Sequence, residues 1–569
     1  TLFTNYLDRL FTLKPMEATA LGDHRFDARL DDISPKARKA WRMLWEETQA
    51  TLPKEVDYRK LSRDGQIDYE IWQHDLSFSL WLDDNMRPFE RDPRTYGGYL
   101  SDSVYLLLTQ STQPKEINIA NAIARMAEMP RIIAEAKRSL THPSKPVLET
   151  AIRQNAGAIG FYGQEIFELA GETAQQNQLK AAAAAVAGEL KDYQKFLEGP
   201  ARDRAEDNWR LGKTKFAKKF ELELNAGITA DENLADAKAE FTRVQTELYT
   251  VSKQLWPIYF PKQFLPPDDD AGRRETITKI INAVDQEHGD ASNLVADARA
   301  TVEEIKAFIR SHDYLRLPEP DHCAVVEMPE FRRGNSAAYL DNAPPLDPKA
   351  ASMYAVSPPP SDWTPQQIRS FLEEYNSHML KILTIHEAYP GHYVQLDYAN
   401  RNPSLIRRVF QSDPFVEGWA VYGEVTMLNE GFGGGDLRLR LMQLKFYLRA
   451  VGNSILDYQM HCTKMTDEEA MKFLMEDGFQ SEGEAKLKII RAKQSSVQLS
   501  SYFVGRMAHY RLHQMIEREL GNKFTLERYH EAVLAHGSIP PKYLPELVHR
   551  YLATSSSESN PLAASSGSN

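Results

Sequence analysis

Apolar side chains recur every three to four residues over most of the chain, which places them along one face of an α-helix. From residue 1 to about residue 310, stretches with this spacing are separated by short breaks rich in proline, glycine and aspartate. The spacing resumes at Thr364, which can cap a helix, followed by a proline suited to a first helical turn, and continues to about Leu552. The pattern therefore predicts a mainly α-helical protein.

Two short segments between the helical parts have the character of β-strands. Cys323–Met328 is rich in β-branched residues and ends before a proline. Met353–Val356 stops shortly before three prolines, and we interpret it as an edge strand. The chain is thus predicted to divide into an N-terminal helical part, a small β-containing segment, a second helical part and a disordered tail, at residues 1–310, 311–363, 364–554 and 555–569.

Composition narrows the classes of protein that need consideration. Lysine and arginine number 68 against 80 aspartates and glutamates, a net charge of −12, which argues against a nucleic-acid partner. Apolar residues make up 42% of the 569 residues, enough for a large core. No apolar run approaches the roughly 20 residues of a membrane span, so none is predicted. Two cysteines leave their pairing open, and the oligomeric state is equally open.

The segment His386–His392, which reads His-Glu-Ala-Tyr-Pro-Gly-His, concentrates side chains that bind metals. In the H-E-x-x-H helix of many zinc hydrolases, the two histidines are four residues apart and share one helix face. Here they are six residues apart, which on a straight helix separates their directions by about 120°. The Pro390-Gly391 pair predicts a bulge or break, because proline lacks a backbone donor and glycine tolerates unusual dihedral angles. Such a break would bring the two imidazoles together.

A catalytic zinc usually has three protein ligands and one open position, so a third ligand is expected downstream. We favour Glu417, twenty-five residues after His392, because a return on a second helix can bring it back. Glu424 lies seven residues further at almost the same helical angle, and is the alternative ligand or a carboxylate that orients a histidine. Glu387 directly follows His386, a position from which a carboxylate can act as general base. One metal per chain is expected, with manganese or cobalt as alternatives to zinc.

Other polar residues are candidates for roles near the metal. Tyr502 and Arg506 are four apart on one helix face and could stabilise an oxyanion; the alternative is a buried tyrosine beside a solvated arginine. Arg449 and Asp457 are interpreted as a structural ion-pair set, with a substrate-clamping role for Arg449 as the alternative.

Three aromatic residues complete the predicted pocket. Tyr389 and Trp419 are most simply walls of the core or of the pocket. Tyr354 belongs to the Met353–Val356 run, which could bind a peptide by strand addition if it is an exposed edge beside the metal.

The His386–His392 block and the sequence Glu-Gly-Trp-Ala that begins at Glu417 resemble the bacterial family catalogued as domain of unknown function 885, whose members look like zinc metallopeptidases. Weaker similarity runs from about Tyr6 to Leu552. The resemblance implies a large helical metallopeptidase-like fold around a deep cleft, with zinc held by His386, His392 and Glu417. It also implies an exported protein, periplasmic, lipid-anchored or extracellular, whose signal segment is absent from this chain.

Together these observations predict a zinc-dependent hydrolase that cleaves peptide or related amide bonds, with a metal-activated water and Glu387 as base. A hydrolase of esters or small acyl conjugates is the first alternative. A helical binding or scaffold protein with a degenerate site is the second. A purely structural zinc is disfavoured, because structural sites usually have four ligands, often cysteines. The sequence leaves open whether cleavage is internal or at a chain end.

Overall fold

A computed structural model of the chain describes residues 2–328, 333, 337–361 and 363–554. It is 73% helical with a small three-stranded sheet, which confirms the mainly α-helical prediction. Within these residues, no helix combines the length and apolarity that crossing a bilayer requires. Cys323 and Cys462 are both free thiols. The predicted disordered tail, 555–569, lies outside the described residues.

The part of the chain before the sheet forms helices whose apolar faces build two separate cores. One core is built from residues between Leu30 and Ala201, and a smaller one joins the first helix to residues near Trp72. The helices are α1 Leu2–Leu13, α2 Pro15–Leu21, α3 Pro35–Glu55, α4 Arg63–Met86, α5 Pro88–Arg91, α6 Arg94–Gly97, α7 Ser103–Thr109, α8 Lys115–Ser139, α9 Lys145–Gly160, α10 Ile166–Ala170, α11 Gln176–Phe196, α12 Lys213–Leu224, α13 Ala230–Tyr259, α14 Asp270–Asp285 and α15 Leu294–Ser311.

The helices after the sheet share the largest core with α13, α14 and α15. Thr364 caps the first of them by accepting a hydrogen bond from the Gln367 backbone N–H, with a proline in the first turn, as the sequence predicts. These helices are α16 Pro365–Glu374, α17 Ser377–Glu387, α18 His392–Asn400, α19 Leu405–Val409, α20 Asp413–Asn429, α21 Leu437–Cys462, α22 Asp467–Lys472, α23 Glu482–Gln494, α24 Ser501–Leu520, α25 Leu526–Leu534 and α26 Leu544–Thr554.

The sheet consists of β1 Cys323–Glu327, β2 Ala338–Asp341 and β3 Ser352–Val356, in the order β1-β3-β2. β3 pairs parallel to β1 and antiparallel to β2, so it is the central strand. The interpretation of Met353–Val356 as an edge strand is therefore wrong. The three prolines follow the paired residues and remove no donor from the sheet, so they do not prevent pairing on both sides. On the β2 side of β3, the edge strand of the sheet is β2 itself.

Helices α20 and α24 approach closely at two glycines. A Cβ atom on Gly418 would lie 2.2 Å from the carbonyl carbon of Gly505, and one on Gly505 would lie 1.8 Å from the Pro414 carbonyl oxygen. Only glycine fits this contact, because any side chain would overlap backbone atoms that cannot move independently. The contact fixes α20, which carries Glu417, against α24, which carries Tyr502.

We expect Gly418→Ala to lower the free energy of unfolding by about 1–3 kcal/mol or more through overpacking. Gly423→Ala on the same helix is the matched control, because its added Cβ would meet nothing closer than Pro390 Cγ at 3.8 Å. Urea unfolding followed by circular dichroism compares the two variants. Equal stability of both would contradict the close packing of α20 on α24.

Candidate metal centre

The helix that carries His386 breaks immediately after Glu387, and the next helix begins at His392. Between them, the Gly391 N–H donates to the Ile385 carbonyl oxygen at 3.0 Å. A Cβ on Gly391 would lie 1.9 Å from the His386 carbonyl oxygen, so only glycine allows the chain to turn this tightly. The turn brings the two imidazole ring centroids to 4.7 Å, which is the effect expected of the Pro-Gly pair.

Two aromatic residues hold this turn from opposite sides. The Trp419 indole N–H donates to the Pro390 carbonyl oxygen at 2.9 Å, which ties α20 to the turn. The Tyr389 hydroxyl donates to Asp321 at 2.8 Å, and its ring packs edge-on against Tyr393. Both Trp419 and Tyr389 are buried, so they support the site rather than offer a surface to a substrate.

Glu417 lies at the same distance from the two imidazoles. Its Oε2 is 3.5 Å from the Nε2 atoms of both His386 and His392, and it makes no hydrogen bond within the described part of the chain. Two ligand atoms on one tetrahedral zinc lie about 3.4 Å apart, given bonds of about 2.0–2.1 Å. Both carboxylate–imidazole distances therefore match the spacing of zinc ligands, and the residues fit that metal.

Glu424 occupies the position behind His386. Its Oε1 lies 2.7 Å from His386 Nδ1, which leaves Nε2 facing Glu417. Although burial opposes protonation, Glu417 and Glu424 raise the pKa of His386 well above its ordinary value. A carboxylate bonded to the outer nitrogen of a ligating histidine orients the ring and increases its basicity. This arrangement supports Glu417 as ligand and Glu424 as the orienting carboxylate.

Glu387 also lies close, with its carboxylate within 4.8 Å of ligand atoms on both histidines. Its Oε2 accepts a hydrogen bond from the Leu340 backbone N–H of β2 at 3.2 Å, and the side chain is only partly buried. Burial raises the pKa of Glu387, whereas contacts with the two imidazoles lower the pKa of Glu417 despite its burial. The lowered pKa of Glu417 suits a ligand, which binds metal when ionised, and the raised pKa of Glu387 suits a base.

The structure places Tyr502 near this cluster. Its hydroxyl accepts a hydrogen bond from Arg491 at 3.3 Å. Burial and then the charge of Glu417 raise the pKa of Tyr502, so the hydroxyl keeps its proton at neutral pH. A protonated phenol beside the ligand Glu417 can donate a hydrogen bond to a substrate oxygen.

The structure does not bring Arg506 to the metal centre. Its guanidinium lies between the rings of Tyr447 and Tyr510, 4.4 Å from each centroid, and 3.3 Å from Glu240. The shared helix face with Tyr502 did not predict this, because Glu240 comes from the distant helix α13. Arg506 is therefore a structural residue, and its suggested oxyanion role is withdrawn.

Arg449 and Tyr354 also take structural positions. Arg449 forms an ion pair with Glu374 and lies 3.6 Å from Glu484, so the expected pairing with Asp457 is wrong. Asp457 instead accepts hydrogen bonds from backbone and hydroxyl groups that precede α24. Tyr354 is fully buried and its hydroxyl lies 3.0 Å from Thr384 Oγ1, behind the helix that carries the first ligand.

Sequence reasoning missed two contributors to the site. Leu340 acts through its backbone N–H, which no side-chain pattern reveals. Arg491 donates to Tyr502 and, at 2.7 Å, to Gln498, but in the sequence it is one cation among many in the charged helix α23.

The fold and the site together define a class of protein. It is mainly helical, and two histidines and three glutamates cluster where one of its helices breaks. The chain matches the family described as bacterial proteins of unknown function, DUF885, over residues 15–548. Because this match covers most of the chain, the protein belongs to that family.

Two solved structures share the fold over nearly their whole length. A Shewanella oneidensis protein described as a "putative lipoprotein of unknown function" is 29% identical with a TM-score of 0.81, covering 96% of this chain and 99% of that one. A "putative lipoprotein" from Colwellia psychrerythraea is 18% identical with a TM-score of 0.78, covering 97% and 98%, and shows the fold alone. The comparison with curated proteins finds no match.

We expect protein purified without chelator to contain about one divalent metal per chain, measured by plasma mass spectrometry. His392→Ala should lose the metal, because it removes one of three ligands. The exposed His142 is not part of the cluster, so His142→Ala is the control and should keep the metal. Full metal content in His392→Ala would contradict the ligand assignment.

Proposed function

We propose that the protein is a zinc-dependent hydrolase of peptide bonds. The observation that carries the proposal is the equal 3.5 Å spacing of Glu417 Oε2 from two histidine Nε2 atoms, with a further carboxylate, Glu387, within 4.8 Å of ligand atoms on both histidines. Three ligands from two imidazoles and one carboxylate leave an open position, as catalytic zinc sites do. Neither cysteine adjoins the cluster, which disfavours a closed structural site.

When bound, zinc would lower the pKa of a water molecule and polarise the substrate carbonyl. Glu387 would accept a proton from the attacking water and pass it to the amine nitrogen that leaves. The raised pKa of Glu387 suits this work, because a base must hold the proton long enough to deliver it. The Leu340 N–H bond to Oε2 holds the carboxylate beside the two histidines.

Tyr502 would stabilise the negative charge that develops on the carbonyl oxygen. Its hydroxyl keeps its proton, and Arg491 contacts the phenol oxygen, which strengthens the phenol as a donor. The charge of Glu417, the proposed ligand, acts on Tyr502, which places this donor near the metal position.

A peptide substrate fits the edge strand β2. Ala337 accepts a hydrogen bond from Ser357 on the β3 side, whereas the Leu340 N–H points the opposite way, to Glu387. An extended peptide pairing with the outer side of β2 would therefore run past the base. The strand-addition hypothesis is thus transferred from β3 to β2, and it favours peptides over small esters.

We also infer that the protein is exported. The Shewanella oneidensis and Colwellia psychrerythraea relatives are both described as lipoproteins, and lipoproteins act outside the cytoplasm. A peptide hydrolase there would act on peptides in the periplasm or outside the cell.

Glu387→Gln should abolish hydrolysis of a peptide library while keeping the metal, because the amide cannot take a proton but can still accept from Leu340. Glu373→Gln is the control, since its carboxylate bonds Gln286 far from the cluster. Mass spectrometry of the peptides and of the metal gives both measurements. Full activity of Glu387→Gln would remove the residue from the mechanism.

Tyr502→Phe should lower kcat about 10²–10³-fold with little change in KM, as loss of one oxyanion donor does. Tyr510→Phe is the control, because Tyr510 lies about two helical turns after Tyr502 on α24 and stacks on Arg506. Steady-state kinetics on a cleaved peptide distinguishes the variants. A twofold effect or less for Tyr502→Phe would assign it a packing role only.

A further inference from the structure

Helix α23 carries two cations that have no ion-pair partner among the described residues. Lys488 and Arg491 lie one turn apart on the same face. Within the described residues neither forms an ion pair with a carboxylate, whereas Lys486 and Lys493 on the same helix pair with Glu482 and Asp467.

The pair lies beside the metal centre, and one route to it runs through Tyr502. Arg491 contacts the Tyr502 hydroxyl at 3.3 Å, and the charge of Glu417 acts on both of these residues. Arg491 and Tyr502 thus form a bonded pair that lies within the electrostatic reach of the proposed ligand Glu417.

A second route leads from the other side of the site. The Phe446 ring lies 5.8 Å from the His386 ring, and Arg449 Cζ lies 5.5 Å from the Phe446 centroid. Lys488 lies one turn before Arg491 on α23, and the charges of Arg491, Arg449 and Glu484 act on it. Contacts through Phe446 and Tyr502 thus link this group of cations to the metal centre.

The nearby carboxylates are already engaged. Glu484 lies 3.6 Å from Arg449, and Glu374 is bonded to Arg449 and Lys445. Burial, with the charges of Arg491 and Arg449, lowers the pKa of Lys488 to about 7. A half-buried ammonium with two neighbouring guanidinium groups gains stability when an anion arrives. Lys488 and Arg491 thus form a positively charged pair, and within the described residues no carboxylate lies in ion-pair contact with either.

We propose that Lys488 and Arg491 bind a carboxylate of the substrate, next to the bond that is cleaved. The proposal rests on the proposed peptide hydrolysis and names the substrate class for it. The carboxylate is either the C-terminal group of a peptide, which would make the protein an exopeptidase acting from the carboxyl end, or an acidic side chain. Both present two oxygens to a guanidinium and an ammonium group.

The test uses three peptides of one sequence: the free acid, the C-terminal amide, and the amide with one glutamate beside the scissile bond. Zinc-loaded wild type should cleave one or both of the carboxylate-bearing peptides with a kcat/KM about tenfold or more above the neutral amide. Lys488→Met should lose that preference through KM, with kcat on the neutral amide within twofold. Lys488→Arg should restore it. Lys486→Met, on the exposed face, is the matched control and should retain the preference.

The outcomes separate the two proposals. Preference for the free acid identifies the C-terminal carboxylate, and preference for the glutamate peptide identifies the side chain; either supports the carboxylate site. Equal cleavage of all three peptides would overturn it and leave peptide hydrolysis intact.

Binding provides a measurement that does not need turnover. Calorimetry on zinc-loaded Glu387→Gln, with and without Lys488→Met, compares the affinity for the same three peptides. Absence of any cleavage by wild type would sink the proposed function, while the carboxylate site would stand or fall on this binding preference alone. Equal affinities would refute it.

Discussion

The tight chain reversal between Glu387 and His392 is the constraint on which the candidate site depends. Without it, a six-residue spacing would direct the two imidazoles about 120° apart on one helix. Gly391 makes the turn possible because it has no Cβ. A Cβ at this position would lie 1.9 Å from the His386 carbonyl oxygen and overlap it. Trp419 then bonds the turn to α20, so the same contact that stabilises the turn also places Glu417. One local backbone geometry thus sets the positions of all three proposed ligands.

Charge explains why such a cluster favours a cation. Glu387, Glu417 and Glu424 surround two imidazoles, and burial raises the pKa of the first and the last. Keeping several carboxylates ionised in a buried space costs free energy unless positive charge compensates them. A divalent metal would provide that compensation at the centre of the cluster. The cations Lys488 and Arg491 on α23 form no ion pair within the described residues, which is why a substrate anion rather than a protein carboxylate is the partner proposed for them.

The N-terminal helices contribute to the site at a distance by fixing the edge strand. The loop between β2 and β3 is held by a hydrogen bond from the Leu346 N–H to the Leu21 carbonyl oxygen at 2.8 Å. His24 on the same side reaches Asp347 in that loop at 3.0 Å. Since β2 supplies the Leu340 N–H that bonds Glu387, the first helices of the chain position the base even though they carry none of the proposed ligands.

The sequence by itself determined the helical class, the position of the helix break and the short list of metal-binding side chains, because periodicity and residue type are local properties. Only the tertiary structure decided that β3 is central, that Arg506 pairs with Glu240, and that Arg491 contacts Tyr502. Helical spacing shows which face of an element is buried, but it does not show which element covers that face. Long charged side chains and backbone groups such as the Leu340 N–H acquire their partners from segments far away in the chain, and those partners exist only after the core has assembled.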